Sequence, residues 1–411
     1  MKKKILIVTP KFPFPAYGAC EQDRAAGIEQ FIGWGYEVSV LTKVSSEKYK
    51  KEAETLSAAL GVPICAVSYK YLRAGMSKTQ KIKNFWGRLL RPWYIDGAAY
   101  EYTDPEIQQE LIRILDDFKP DLVWFDYTYL WPLFRFVKKR GIPIVTRSIN
   151  FEAVHFLEED GRNFLNYLKF LPKLLSEFIS GRSSDILFAI TPDEEKLYRK
   201  IRSQHVVVLP LRGISSYLSF KANLKDSRPL HVFFFGSTYN VAHNRAAAEM
   251  LLREIIPLVQ KTFLGEFHFH IFGAKLPAHL EALCVDGVTH HGYLPLEELN
   301  TVFEGMDIAL IPSLYGAGMQ QKIFEPLARG FPTLVSPRGI AGYPFYPEEH
   351  LLSADSVEDF VGALGKLRDL NLRKKLSEKA KEQASALFSY DRKAGNIRRS
   401  LDELLLNSPK I

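Results

Sequence analysis

The sequence predicts an α/β protein of two doubly wound, Rossmann-like domains, and three observations carry that prediction. The chain has 411 residues, long for a single hydrophobic core, so two domains are expected. Short apolar runs alternate with amphipathic helical stretches along most of its length, as in β–α units wound around parallel sheets. That alternation lapses in a polar stretch over residues 211–229 and restarts at Leu230. The expected domains are residues 1–212 and 213–388, with a terminal helix over 389–411.

In order along the chain, residues 4–9 form a buried first strand. The apolar run at Ile5 to Val8 is too short for the core of a signal peptide. A proline-glycine loop follows, then a helix over 21–34, Gly35, and a strand over 37–42. This β–loop–α–β opening is the doubly wound signature. A helix is expected over 45–60 and a strand over 62–67. Asp104 is a good N-cap with Pro105 at the first helical position. Ile107, Leu111, Ile114, Leu115 and Phe118 then share one helical face. Residues 122–125 form a strand, 130–140 a helix and 142–146 a strand. The stretch RSINFEAVHF that follows should lie at a strand's C-terminal end, where open α/β sheets place ligands. Asn150, Glu152 and His155 are therefore candidates for ligand contacts. A helix over 164–179, a strand over 185–190 and a last strand over 206–209 complete the first domain.

The second series opens with a strand over 230–235 running into Gly236-Ser237. A helix over 242–261, a strand over 267–272 closed by Gly273, a strand near Val288 and a helix over 295–304 follow. Residues 307–311 are a buried strand ended by Pro312. Gly316 and Gly318 allow a tight turn. A helix over 322–329 then stops at Gly330, with Pro332 beyond. The free N–H groups at such a helix start bind anions, most often phosphate. Residues 356–405 read as helical and charged.

Composition excludes several classes. At 46% hydrophobic and 25% charged the chain reads as an ordinary globular protein, and no apolar run reaches the length of a membrane span. The three cysteines have no paired spacing, which speaks against a disulfide framework or zinc site and for a reducing, cytoplasmic setting. A net charge of +7 suits phosphorylated ligands or an anionic surface. No nucleic-acid module is recognisable. Residues 69–95 are different. Lys70, Arg73, Lys78, Lys81, Lys83, Arg88 and Arg91 occur there with no acid, interleaved with Tyr71, Phe85, Trp86, Trp93 and Tyr94. That pattern fits an interfacial helix on anionic lipid, peripheral at the inner face of a membrane, or a solvated loop whose aromatics fold back.

Gly316-Ala317-Gly318, Lys322, Glu325-Pro326-Leu327-Ala328 and Gly330-Phe331-Pro332 strongly resemble the nucleotide-sugar site of retaining glycosyltransferases of the GT-B fold, in the family-4-like group. Many relatives carry a second glutamate eight positions before Glu325; Ala317 stands there, and a G-x-G subgroup looks closer. The resemblance implies two domains facing across a cleft, the first binding acceptor and the second donor, with the terminal helix crossing back to the first. It implies a nucleotide-diphosphate sugar as donor substrate, no cofactor and no metal, and a glycan or lipid-linked acceptor in cell-surface glycan synthesis. Gly236, Ser237, Gly273, Tyr293, Gly316, Gly318, Met319, Gln320, Lys322 and Glu325 would bind the donor. Gly18, Ala19, Asn150, Glu152 and His155 would line the acceptor side, and Lys322, Glu325 and His155 are the catalytic candidates. Glu325 would match the ribose hydroxyls and Lys322 the diphosphate. A sugar-nucleotide epimerase, or a non-catalytic sugar-nucleotide-binding subunit, is the alternative on the same fold. A dinucleotide fingerprint fails, because Gln321 replaces its third glycine.

Overall fold

The computed structural model describes residues 2–14, 18–68, 77–90, 96–201, 205–313 and 318–407. It divides into two compact units, Met1–Arg212 with Ala394–Ile411, and Gly213–Lys393.

The first unit is a seven-stranded parallel sheet. Its strands are β1 (Lys4–Thr9), β2 (Glu37–Val44), β3 (Ile64–Ser68), β4 (Leu122–Phe125), β5 (Ile144–Arg147), β6 (Ile186–Ala189) and β7 (Val206–Val208), in the order β3-β2-β1-β4-β5-β6-β7. Its helices are α1 (Ala19–Gly33), α2 (Glu47–Leu60), α3 (Lys78–Leu89), α4 (Gly97–Tyr100), α5 (Pro105–Phe118), α6 (Phe134–Lys138), α7 (Glu152–Asp160), α8 (Phe164–Ser183) and α9 (Pro192–Lys200). The strands are apolar on both faces because helices cover both. Ile7, Val40, Trp124, Val145 and Phe188 meet Ile28 and Phe31 of α1 in one core. Strand order reverses between β1 and β4, so the ligand crevice of this sheet lies beyond their C-terminal ends.

The second unit repeats the plan with a six-stranded parallel sheet, order β10-β9-β8-β11-β12-β13. The strands are β8 (Leu230–Thr238), β9 (Phe267–Ala274), β10 (Val288–Gly292), β11 (Ile308–Ile311), β12 (Thr333–Val335) and β13 (Leu352–Ser353). The helices are α10 (Ala242–Met250), α11 (Ile256–Thr262), α12 (Ala278–Glu281), α13 (Leu296–Phe303), α14 (Gln321–Arg329), α15 (Val357–Lys366) and α16 (Leu370–Phe388). Phe233 packs on Phe303 and Phe331 with ring centroids 4.8 and 4.9 Å away, at the centre of an aromatic core. Here the order reverses between β8 and β11. A last helix, α17 (Tyr390–Asn407), places Ile397 and Leu401 in the core of the first unit.

Several sequence expectations are corrected. The helix over 130–140 is a 3-10 turn, Thr128–Leu133, followed by the short α6. Pro132 lies inside it and lacks the N–H that an α-helix requires there. The helix over 242–261 contains a π-helical turn, Leu251–Ile255, just before Pro257. Skipping the bond that proline cannot make accounts for it. The polar stretch 211–229, where the sequence suggests a linker between domains, carries structure of its own. A 3-10 segment, Arg212–Ser219, brings Tyr217 onto Arg329, with the guanidinium 4.6 Å from the ring centroid. The second unit extends to Lys393 rather than 388. No helix among the described residues is long and apolar enough to cross a membrane.

Candidate active site

At the β8–β11 switch point the second unit gathers polar groups. Strand β8 ends in Gly236, Ser237 and Thr238 with an irregular register against β9. A Cβ on Gly273 would stand 1.7 Å from the Gly236 carbonyl oxygen, and φ there is +137°. Only glycine lets the two strand ends approach so closely. Asn244 of α10 donates to the Thr238 carbonyl at 3.1 Å. Its Oδ1 accepts from Lys322 Nζ at 3.0 Å. From the β11 side, Gly318 adopts φ +75°. Ser313 Oγ donates to Gln320 Oε1 at 2.8 Å, holding the turn ahead of α14. Gln320 is the N-cap of that helix and makes no side-chain cap.

Lys322 is buried at this helix start. Burial pushes its ammonium down to about 7, and the helix N-terminus disfavours a cation as well. A lysine held where two effects oppose its charge marks a site that favours an anion.

Glu325 is also buried, but its partners differ from those expected. Arg329, one turn later, donates through Nε to Oε1 at 2.9 Å. Arg329 Nη2 stands 2.8 Å from the same oxygen as an ion pair, outside hydrogen-bond alignment. Gln321 Nε2 donates to Oε2 at 3.0 Å and to Tyr217 Oη at 2.8 Å. Arg329 also reaches Asn300 Oδ1 at 2.8 Å. Arg329 thus holds Oε1 and Gln321 holds Oε2, and the Tyr217 hydroxyl also hydrogen-bonds the carboxylate.

Gly236, Ser237, Gly273, Gly318, Gln320 and Lys322 thus come from elements that meet at one sheet end. Met319 is buried in the turn. Tyr293 follows the edge strand β10 and is exposed, apart from the switch point. Gly316 lies outside the described residues. Sequence reasoning missed Asn244 as the partner of Lys322, since 78 residues separate them. It also missed Arg329, although Glu-to-Arg spacing at i, i+4 was a readable signal.

In the first unit, Gly18 is the N-cap of α1 and Ala19 its first residue. Asn150 precedes α7, which Glu152 opens and on which His155 lies one turn along. Glu152 Oε1 accepts from Tyr127 Oη at 2.5 Å, and Lys173 Nζ lies 3.5 Å from Oε2. The Glu152 amide donates to Glu177 Oε1 at 2.9 Å. Glu177 also accepts from Thr128 at 3.1 Å and Tyr198 at 2.6 Å. Burial pushes its carboxyl up to about 8, against the hydrogen bond from Tyr198. Tyr127 and Tyr129 stack at 4.3 Å beside this group. Among the described residues no group of three or more His, Cys, Asp or Glu is arranged to hold a metal ion.

Comparison with known proteins agrees with this architecture. Solved structures of similar fold include sucrose-phosphate synthase from Thermosynechococcus elongatus, 15% identical, with a TM-score of 0.69 over 99% of this chain and 100% of that one. TarM is 11% identical, with a TM-score of 0.67 over 99% of each chain. HepE from Anabaena in complex with UDP is 11% identical, with a TM-score of 0.65 over 98% of this chain and 100% of that one. The fold is GT-B. Residues 229–369, within the second unit, match the model of the family described as glycosyl transferases group 1, and the chain is a glycosyltransferase. No curated protein matches it by sequence.

Proposed function

We propose that the chain moves a sugar from a nucleotide-diphosphate sugar to a hydroxyl of a glycan or lipid-linked acceptor, with retention and without a metal ion. The observation that carries this reading is Lys322, a buried lysine at the start of α14 beside a glycine turn. The UDP bound to the Anabaena relative supports a nucleotide donor. The α14 amides and the Lys322 ammonium receive the diphosphate as it leaves, which is oxyanion stabilisation. The bond between the anomeric carbon and the diphosphate oxygen breaks. The acceptor oxygen bonds to that carbon on the same face, and its proton passes to the departing diphosphate. Glu325 Oε2 takes one ribose hydroxyl in place of Gln321. Glu152 and His155 belong to the acceptor side. The basic stretch 69–95, of which 69–76 and 91–95 lie outside the described residues, supports work at the cytoplasmic face of a membrane on surface glycans.

The test is a thermal-shift panel of UDP, GDP, dTDP and ADP on wild type and Glu325→Gln. One nucleotide should stabilise the wild type, by about 2.7 kcal/mol at a hundredfold excess over Kd. Loss of one charged hydrogen bond, ~1.5–3 kcal/mol, should weaken binding to Glu325→Gln at least about tenfold. No shift with any nucleotide, or equal shifts in both proteins, would overturn the reading.

A further inference from the structure

Helix α8 changes character halfway along. In its C-terminal half Ser176, Glu177 and Ser180 are buried. At its start, Phe164, Leu165, Leu168 and Leu171 are 75%, 66%, 54% and 63% exposed. Residues 164, 168 and 171 follow i, i+4, i+7 spacing and form one stripe. A helix in water normally turns such a stripe to the core. Helix α3 repeats the inversion, with Ile82, Phe85 and Trp86 all more than half exposed. Contiguous exposed apolar surface of this kind marks a binding face.

Charge selects the partner. Helix α3 carries Lys78, Lys81 and Lys83 and no acid. On α8 the only acid is Glu177, which is fully buried, while the exposed Lys169 lies 5.7 Å from the Phe156 ring and Lys173 is paired with Glu152. A second copy of the chain would set basic face against basic face, which like-charge repulsion opposes. An anionic bilayer offers apolar depth and negative headgroups together. The two helices adjoin one short segment. Ser176 of α8 donates to Asp96 at 2.7 Å, and a Cβ on Gly87 of α3 would meet Tyr100 Oη at 2.8 Å.

We propose that α8, together with α3, docks the first unit onto an anionic lipid surface. This extends the membrane contact beyond 69–95 to a second helix. Lys173 and Glu177 of that helix also contact Glu152. On the transferase reading above, an acceptor held by Glu152 then stands at the lipid surface; the docking itself does not depend on that reading.

The experiment is sedimentation of the full chain with vesicles of phosphatidylcholine alone or mixed with phosphatidylglycerol, at low and high salt. The variants are Phe164→Ser with Leu168→Ser, and Phe85→Ser with Trp86→Ser. Wild type should pellet with the phosphatidylglycerol vesicles, less at high salt. Each double variant should lose binding about tenfold or more, with unchanged melting temperature and nucleotide binding. Failure of wild type to pellet at low salt, or equal pelleting of the α8 variant, overturns the proposal. So does a wild-type dimer in light scattering that the double variants dissolve. Loss of nucleotide binding in wild type would sink the transferase reading and leave the vesicle result standing.

Discussion

Lys322 ties a proton to the proposed ligand. Burial brings its ammonium down to about 7, far below the ordinary lysine value of about 10.4. In the free protein it is therefore neutral on the alkaline side of 7. A diphosphate favours the charged form and raises the value on binding, so complex formation takes up a proton. Affinity for the nucleoside diphosphate should fall as pH rises above about 7, by up to about tenfold per unit. Titration calorimetry in buffers of different ionisation enthalpy reads both the slope and the uptake. Lys322→Met should bind weakly and lose the slope; a flat wild-type profile between about pH 6 and about pH 9 would contradict the assignment. Glu325 needs a gentler probe. Its removal as Glu325→Ala would strand the buried Arg329 guanidinium, at a cost of about 3–5 kcal/mol. Lost folding would then be mistaken for lost binding.

Across the sheet of the second unit, β8, β9 and β10 carry a hydrogen-bonded chain of imidazoles. His231 Nδ1 and His270 Nε2 are 2.9 Å apart, and His270 Nδ1 and His291 Nε2 are 2.8 Å apart. Burial, and then the neighbouring histidines, push His270 down to about 3 and lower His268 and His291 as well. Between about 6.5, the unfolded histidine value, and about 3 for His270, the unfolded chain binds protons that the folded sheet refuses. Stability therefore falls as pH drops through that window. Urea unfolding of the second unit measured from neutral pH downward should show this acid limb, shallower in His270→Phe; an unchanged limb in the variant would refute it. None of this was readable in the sequence, because the pairing depends on the register of three separate strands. Elements with local signals were readable. Asp104 caps α5 by accepting from the Glu106 amide at 3.2 Å, and α14 ends at Gly330 in the left-handed conformation. The apolar period suggested helices over Pro132 and Pro257; a missing N–H left only a 3-10 turn at Pro132, while at Pro257 the helix continues through a π-helical turn. In the candidate site the glycine turn and Lys322 were legible. Asn244 and Tyr217 were not, since the fold alone brings them there.

Each unit has a core of its own, and the first holds a buried ionic joint. Asp23 of α1 is fully buried and takes Arg147 of β5 at 3.4 Å and Arg212 at 3.1 Å. Its carboxylate also accepts from the Arg212 amide at 2.7 Å. Burial alone would raise its carboxyl, but the two guanidiniums outweigh burial and hold it well below the usual carboxylate range. Asp23→Asn should destabilise the first unit by about 3–5 kcal/mol, or on the order of 10 °C for a domain of this size. Calorimetry with and without nucleotide would assign the transitions, since ligand should raise only that of the second unit. A first-unit transition unmoved by Asp23→Asn would contradict the prediction.

Helix α17 has a further consequence for how the protein is made. Ile397 and Leu401 belong to a core whose other members were all synthesised before residue 213. On the ribosome, the half that emerges first must therefore wait, with the place of Ile397 and Leu401 in its core unfilled, until the other half has been translated. At roughly 5–20 residues per second, the delay is on the order of 10–40 s. For that interval the nascent chain presents a ready target to chaperones, and its halves are completed in the reverse of the order in which they are written.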